Sequence, residues 1–385
     1  MTLAAFAAAL SMTTISILVP GIGHSYSIGT GQVHWVASGF MAAMLPAMLA
    51  TPWVVHRLGV RRTVLVALAG LVVGGVCGAV SPHFGVLVAA RVLEGLAAGV
   101  LQPLPVLVVA RGFDAGQRGR AMGLYTLGIA LAPALGPALA GPVADQFGWR
   151  WVLLGPALFA LLAVGAVRRS LTAGLDGPSS RPNFRPTLLR HAHFRRACVV
   201  ASLYGAAVFG SGHLMPILVQ EVLRHSAAAT GAAMLPGGLA LVLFSPWGGR
   251  LADRFERHRL IAVGTLVLGL AHLPVLGLVP ASSLVWFSVW MVVARLGMAV
   301  ALPPLAIDAL RGLGPADWPA ASSWVGVSRQ LGAALGIAAV SMIVSWRLSA
   351  GDTGAAAFHA GLWLVVGLSL AAAGLAWRND AVADS

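Results

Sequence analysis

The sequence contains no lysine and few acidic residues. All 25 basic residues are arginine, only 12 residues are aspartate or glutamate, and charged residues make up 10% of the chain. Soluble globular domains carry roughly a quarter charged residues, whereas 58% of this chain is apolar and its mean hydropathy is +0.86. The shortage of charge excludes an ordinary soluble domain and predicts an all-α integral membrane protein.

Cysteine is also scarce, and recognisable catalytic groups are missing. The two cysteines, Cys77 and Cys198, lie in or beside apolar stretches without the spacing of metal ligands. They predict neither a disulfide framework nor a metal site. No nucleophile, base and orienting residue cluster in the sequence, and no phosphate-binding motif occurs. We therefore predict that the protein is not an enzyme and uses no metal or organic cofactor.

Long apolar stretches fill most of the chain. A membrane-spanning helix needs about 20 consecutive, mostly apolar residues, and twelve stretches approach or exceed that length. They cover residues 3–23, 35–55, 63–80, 84–110, 121–143, 151–167, 197–220, 229–250, 260–279, 284–307, 322–346 and 357–377. The sequence therefore predicts twelve transmembrane helices.

The arginines lie mainly in alternate loops, so the net charge of +13 does not indicate a nucleic-acid partner. One set of loops contains only Arg150, Arg224 and Arg347. The other set contains the long central loop and Arg57, Arg61, Arg62, Arg111, Arg118, Arg120, Arg250, Arg254, Arg257, Arg259, Arg311 and Arg378. Because positive loops stay inside, we predict that both termini and the central loop are cytoplasmic.

A single long polar segment, residues 168–186, divides the predicted spans into two groups of six. We predict an N-terminal bundle over residues 1–167, a linker over 168–196 and a C-terminal bundle over 197–385. The halves resemble each other, since H-R-L-G-V-R-R at 56–62 matches D-R-F-E-R-H-R at 253–259, an offset of 253 minus 56, or 197. Two similar bundles are what alternating access requires, with the substrate bound between them.

The fifth predicted span carries helix-breaking residues in the order G-I-A-L-A-P-A-L-G-P-A-L-A-G, followed by W-R-W at 149–151. A membrane helix tolerates them because neighbouring helices satisfy the freed backbone groups, and glycine permits close packing. The order resembles the fifth-helix motif of major facilitator superfamily drug:proton antiporters, and W-R-W resembles the start of helix six in their multidrug branch. The motif residues are Gly128, Pro133, Gly136, Pro137 and Gly141.

Four further motifs extend the resemblance over nearly the whole chain. R-V-L-E-G at 91–95 resembles the fourth-helix motif, and G-R-L-A-D-R at 249–254 resembles the loop signature between helices eight and nine. T-T-I-S-I-L-V-P at 13–20 and S-R-Q-L-G at 328–332 resemble the first and penultimate helices of the multidrug branch. Many members of that branch have fourteen spans, but the polar central loop here provides no extra helices.

The resemblance implies the major facilitator fold, with two pseudo-symmetric bundles of six helices. It also implies proton-coupled export of small amphipathic compounds such as drugs or natural products. The expected location is the inner, cytoplasmic membrane of a bacterium, where the protein would act as a monomer with the proton as coupling ion. Two alternatives stay open, namely a narrow importer or lipid transporter of the same fold, and a membrane sensor or assembly subunit that does not transport.

Candidates for proton coupling lie in the fourth and seventh spans. Arg91, Glu94 and Gln102 recur at helical spacing, and Glu94 is the only acidic residue near the middle of a span. The resemblance associates the arginine matching Arg91 with proton coupling or substrate binding, at a site where glutamine usually stands in place of Glu94. The alternative is a neutral ion pair that packs the helix. His213 could titrate near neutral pH or only pack.

Candidates for the substrate cavity come from four spans. The multidrug branch has an acidic residue in the first helix where this sequence has Ser11, followed by Thr14 one turn later. That difference weakens the expectation of a cationic substrate and also that of proton antiport. The other candidates are Gln102, Tyr204, His213 and Arg295, although a lone histidine or an aromatic residue at helical spacing is more often a packing residue.

A cytoplasmic gate is expected from the repeated loop signature. In the second half, Asp253 and Arg254 occupy the signature, and the carboxylate can bind the positive end of a helix dipole. The first half offers His56 and Arg57 at the matching positions. We therefore expect closure of the cytoplasmic side to depend mainly on Asp253.

Overall fold

The computed structural model describes residues 1–105, 108, 115–170, 186–278, 282–314 and 317–377. In these ranges the chain is helical and contains no β-strand. The chain divides into two compact units, Met1–Asn183 and Phe184–Ser385. Residues 171–185, the greater part of the predicted linker, lie outside the described ranges.

The first unit is built from long helices. A four-residue helix, Thr30–Val33, precedes the second of them. The long helices are α1 (Thr2–Tyr26), α2 (Trp35–Ala79), α3 (Phe84–Leu101), α4 (Ala115–Phe147) and α5 (Trp149–Ser170).

The second unit begins with a 3₁₀ turn, Pro186–Arg190, and another 3₁₀ turn, Pro274–Gly277, follows its third long helix. Ser226 and Ser283 cap two of its helices, because their Oγ atoms accept hydrogen bonds from Ala229 N and Val285 N. The long helices are α6 (Ala192–Glu221), α7 (Ala227–Arg254), α8 (Arg257–Leu270), α9 (Leu284–Asp308), α10 (Trp318–Ser349) and α11 (Gly354–Trp377).

Helix α2 is interrupted at Gly59, where φ is 76° and ψ is 163°. Glycine adopts a positive φ without the steric cost that a Cβ imposes. The whole element contains 45 residues, which at 1.5 Å per residue is about 68 Å, or more than twice the roughly 30 Å hydrocarbon core of a bilayer. The break separates the predicted spans 35–55 and 63–80, so α2 has the length of two spans.

The same pattern of helix pairing occurs in both units. In the first unit α1 packs against α4 and α5, while α2 packs against α3 and α5. In the second unit α6 packs against α10 and α11, α9 packs against α7 and α8, and α8 also packs against α11. Helix α2 has the length of two spans and corresponds to α7 and α8 together. With that correspondence, each helix pairing in one unit has a counterpart in the other.

Ten helical stretches in the described part of the chain are long and apolar enough to cross a membrane. Three helix ends differ from the sequence prediction. Helix α3 ends at Leu101, within the predicted span 84–110, because Pro103 lacks the backbone N–H that would continue the helix. Helices α5 and α6 reach Ser170 and begin at Ala192, so both extend into the predicted linker.

Candidate functional site

Arg91 and Glu94 form a buried ion pair on α3. Their three-residue spacing places both side chains on one face of the helix, and the Arg91 Nη1 atom donates to Glu94 Oε2. Each side chain is only 1% exposed. The sequence placed these two residues on one helical face, and the structure brings their charges into direct contact.

Arg91 is also bound by two neighbouring helices. Its Nη1 atom donates to the Ser11 hydroxyl over 2.8 Å, and its Nη2 atom donates to the Ser11 carbonyl over 3.0 Å. The Nε atom donates to the Val36 carbonyl at 3.4 Å, and the guanidinium carbon lies 4.4 Å from the centre of the Phe40 ring. Helices α1 and α2 therefore satisfy a charge that would otherwise be costly inside a membrane.

The second oxygen of Glu94 is much less well satisfied. Glu94 Oε1 is buried and has no hydrogen-bond partner among the described residues. The carboxylate lies against α2, where a Cβ added at Gly74 would overlap Glu94 Cγ and one added at Gly75 would lie 3.4 Å from Oε1. The two glycines make room for the carboxylate, and Oε1 is the position at which a proton can bind without displacing Arg91.

The remaining polar candidates of the first unit have different surroundings. Ser11 is fully buried and is occupied by Arg91. Thr14 is also buried, and its hydroxyl donates to Leu10 O of its own helix at 3.0 Å. Gln102 is half-buried at the end of α3, about 12 Å along the helix axis from Glu94. Only Ser11 of these three is a hydrogen-bond partner of the ion pair.

Two of the three candidates of the second unit, Tyr204 and Arg295, meet at Met298 of α9. Tyr204 of α6 is buried and its hydroxyl donates to the Met298 carbonyl at 3.4 Å. The Arg295 Nη1 atom lies 3.6 Å from the Met298 sulfur, and the Arg295 side chain is partly exposed. His213 is buried further along α6, about 13 Å from Tyr204 along the axis. The structure thus groups Tyr204 with Arg295 rather than with His213.

The motif-bearing helix α4 packs closely on α1. Gly136, Pro137 and Gly141 are buried and Pro133 is half-buried. A Cβ added at Gly136 would lie 2.6 Å from the Thr13 hydroxyl, which donates to the Ala132 carbonyl at 3.3 Å. The backbone of Gly128 lies in α4, but the surroundings of that residue fall outside what the structure describes.

The four residues assigned to the cytoplasmic gate lie at helix ends. His56 and Arg57 are exposed just before the break at Gly59, and Asp253 and Arg254 are exposed at the end of α7. Their exposure is compatible with a gate, which stays a prediction.

A family model described as Major Facilitator Superfamily matches residues 1–337 of the 385-residue chain. The chain belongs to the Major Facilitator Superfamily. It is a multi-pass membrane transporter, not an enzyme.

Relatives and solved structures agree with this family. The chain is 25% identical to an uncharacterized MFS-type transporter, YcnB of Bacillus subtilis strain 168, over 89% of this chain and 84% of the relative. It is 25% identical to the multidrug export protein EmrB of Escherichia coli strain K12, over 87% of this chain and 77% of the relative. A crystal structure of a POT family transporter in complex with 5-aminolevulinic acid has the same fold, with a TM-score of 0.79, 13% identity and coverage of 98% and 96% of the two chains.

In this major facilitator chain, the sequence patterns did not indicate three residues of α2 beside the ion pair or one histidine near Arg295. Phe40, Gly74 and Gly75 surround the ion pair from α2, and no local pattern marks them because they meet α3 only in the folded unit. His272 is buried after α8 and interacts electrostatically with Arg295. A lone histidine at the end of an apolar span is weak evidence for a functional site. Only the interaction with Arg295, which forms in the folded unit, singles out His272.

Proposed function

We propose that this major facilitator protein exports small amphipathic compounds in exchange for protons by alternating access. The observation that carries the proposal is the Arg91–Glu94 pair, buried in α3 with one carboxylate oxygen lacking a partner among the described residues. A buried carboxylate can take up a proton on one side of the membrane and release it on the other when its access changes. The coupling ion is therefore the proton.

The geometry supports Glu94 as the proton carrier rather than Arg91. Glutamate titrates far closer to physiological pH than arginine, which stays charged. When Glu94 is protonated, Arg91 keeps hydrogen bonds to Ser11 and its contact with the Phe40 ring. The cluster can thus lose one negative charge without leaving the guanidinium unsupported. His213 is the second candidate, because it is the buried histidine of α6.

The export direction rests on sequence likeness. The order of glycine and proline in α4 resembles the antiporter motif, and a relative named a multidrug export protein aligns with 87% of this chain. The side chains expected to contact the substrate are Ser11, Thr14 and Gln102 in the first unit and Tyr204, His213 and Arg295 in the second.

We further propose twelve membrane-spanning helices in two bundles of six. Helix α2 supplies two spans separated at Gly59, and α4 supplies the span that carries the motif. With the arginine-rich loops inside, both termini are cytoplasmic in the inner membrane of a bacterium. We also propose that the protein acts as a monomer.

Transport into inverted membrane vesicles tests the proposed function. The vesicles are given an imposed proton gradient, acidic inside, and are offered a panel of cationic, neutral and anionic amphipathic compounds. We expect at least one compound to accumulate inside and to leave when an ionophore collapses the gradient. Vesicles without the protein provide the background.

The rival functions give different results in the same assay. An importer coupled to proton entry would deplete the vesicle interior of its substrate instead of filling it. A non-transporting sensor or assembly subunit would leave every compound at background, with or without the gradient. Either result would contradict proton-coupled export.

A further inference from the structure

Arg295, in the middle of α9, is satisfied very differently from Arg91, which lies in the middle of α3. Arg91 has a carboxylate, a hydroxyl and two carbonyl groups as acceptors. The one hydrogen bond recorded for the Arg295 guanidinium is to the sulfur of Met298, at 3.6 Å. Thioether sulfur is a weak acceptor, and Arg295 forms no ion pair with any residue that the structure describes.

The neighbours of Arg295 recorded in the described part of the chain are polar but include no carboxylate. Tyr204 interacts electrostatically with both Arg295 and Arg329. His272 interacts with Arg295, and its Nδ1 atom lies 2.7 Å from the Leu268 carbonyl. A carbonyl only accepts, so Nδ1 carries a hydrogen and Nε2 is the free ring atom. That Nε2 atom is buried and has no hydrogen-bond partner among the described residues.

An unpaired guanidinium inside a membrane is costly, so a charge kept at such a position implies a counter-charge supplied from elsewhere. Apolar groups lie near the cation, because Met298 touches it and Trp290, five residues earlier on the same helix, packs against the apolar cluster that contains Met298. The Trp290 Nε1 atom is itself buried without a hydrogen-bond acceptor in the described part of the chain. The arrangement combines a cation, unused polar groups and apolar side chains.

We propose that Arg295 is the anchor of a subsite for a single carboxylate, or a similar monoanionic group, on an amphipathic substrate. The carboxylate binds the guanidinium, with the Tyr204 hydroxyl beside it, and the apolar body of the substrate lies along Met298 and Trp290. The inference rests on the transport function proposed above and names its substrate class as weak organic acids.

Ligand-dependent thermal stability of the purified protein in detergent tests the subsite without requiring transport. The probes are sodium benzoate, the neutral isostere benzamide and sodium chloride, each titrated at low ionic strength. A ligand that binds only the folded state raises the melting temperature. We expect benzoate to raise it in a saturable manner, and benzamide and chloride to leave it unchanged at the same concentrations.

Variants of Arg295 locate the effect. In R295Q the apparent benzoate affinity should fall about 10-fold or more, because a charge-assisted hydrogen bond is lost, whereas R295K should retain part of it. R347Q is the matched control, since Arg347 is 42% exposed and pairs with Asp352. R347Q should respond to benzoate as the parent protein does.

The other outcomes overturn the proposal. An anion subsite would be excluded if benzoate and benzamide raised the melting temperature equally, or if benzoate did not raise it at all. It would also be excluded if R295Q showed the same benzoate-induced rise as the parent protein. A chloride shift of the same size would assign the position to an inorganic ion and not to a substrate. The benzoate and benzamide comparison needs no variant, so it remains decisive if R295Q does not fold. Because binding is measured without a gradient, failure here leaves the vesicle transport result standing.

Discussion

Replacing Glu94 with glutamine is expected to reduce gradient-driven accumulation in inverted vesicles to background. Glutamine has almost the same shape and its amide oxygen can still accept from Arg91, but it cannot bind and release the transported proton. Substrate exchange across vesicles without a gradient should continue in E94Q, since exchange of substrate for substrate needs no net proton transfer. The measurement is the initial rate of uptake of a compound that the parent protein accumulates, with and without the gradient.

Glu256 provides the matched control for this substitution. Its side chain is 53% exposed and pairs with Arg259 near the start of α8. E256Q removes the same charge far from the buried pair and should pump at the parent rate. Unchanged active uptake in E94Q would exclude Glu94 as the coupling residue and direct attention to His213. Loss of exchange together with active uptake would assign Glu94 to substrate binding or folding instead.

Gly205→Ala should destabilise the protein severely, whereas Gly212→Ala on the same helix should not. A Cβ added at Gly205 would overlap the Arg329 carbonyl oxygen of α10, but one added at Gly212 meets nothing within 4 Å. Contact between helices in a membrane depends on close approach at small residues. Overpacking of this kind costs about 1–3 kcal/mol or more. The measurement is the melting temperature and the recovery of monodisperse protein in detergent.

The two alanine variants gain the same helix propensity, so their difference isolates the contact between α6 and α10. Gly212→Ala should be neutral or stabilising by up to about 1 kcal/mol, the propensity gain of alanine over glycine. Similar melting temperatures for both variants would show that α6 and α10 do not approach each other closely at Gly205.

Local sequence patterns predict much of the fold. Apolar stretches long enough to cross a bilayer predict the helices, and the gap between spans 35–55 and 63–80 coincides with the break at Gly59. The spacing of Arg91 and Glu94 gave their shared face. These features depend on residues close together in the chain. The end of α3 at Leu101 was not predicted, since the apolar stretch continues past Pro103 to residue 110.

Partners from distant parts of the sequence could not be predicted in the same way. Ser11 was a candidate for the substrate cavity, and nothing local indicates that it binds Arg91, 80 residues away. The contact of Phe40 with the guanidinium and the neighbourhood of His272 and Arg295 likewise arise only when helices pack. Cavity and subsite assignments depend on such tertiary contacts, which a single sequence does not encode in any periodic pattern.

The direction in which protons move tests proton exchange through Glu94 most directly. Purified protein is reconstituted into liposomes that contain a pH-sensitive fluorophore, with the membrane potential clamped and no initial pH gradient. A compound from the vesicle panel is then added outside. We predict that inward flow of the compound drives protons out, so that the lumen becomes alkaline with the parent protein and stays unchanged with E94Q and in protein-free liposomes. Acidification of the lumen, or entry of the compound without any pH change, would contradict it.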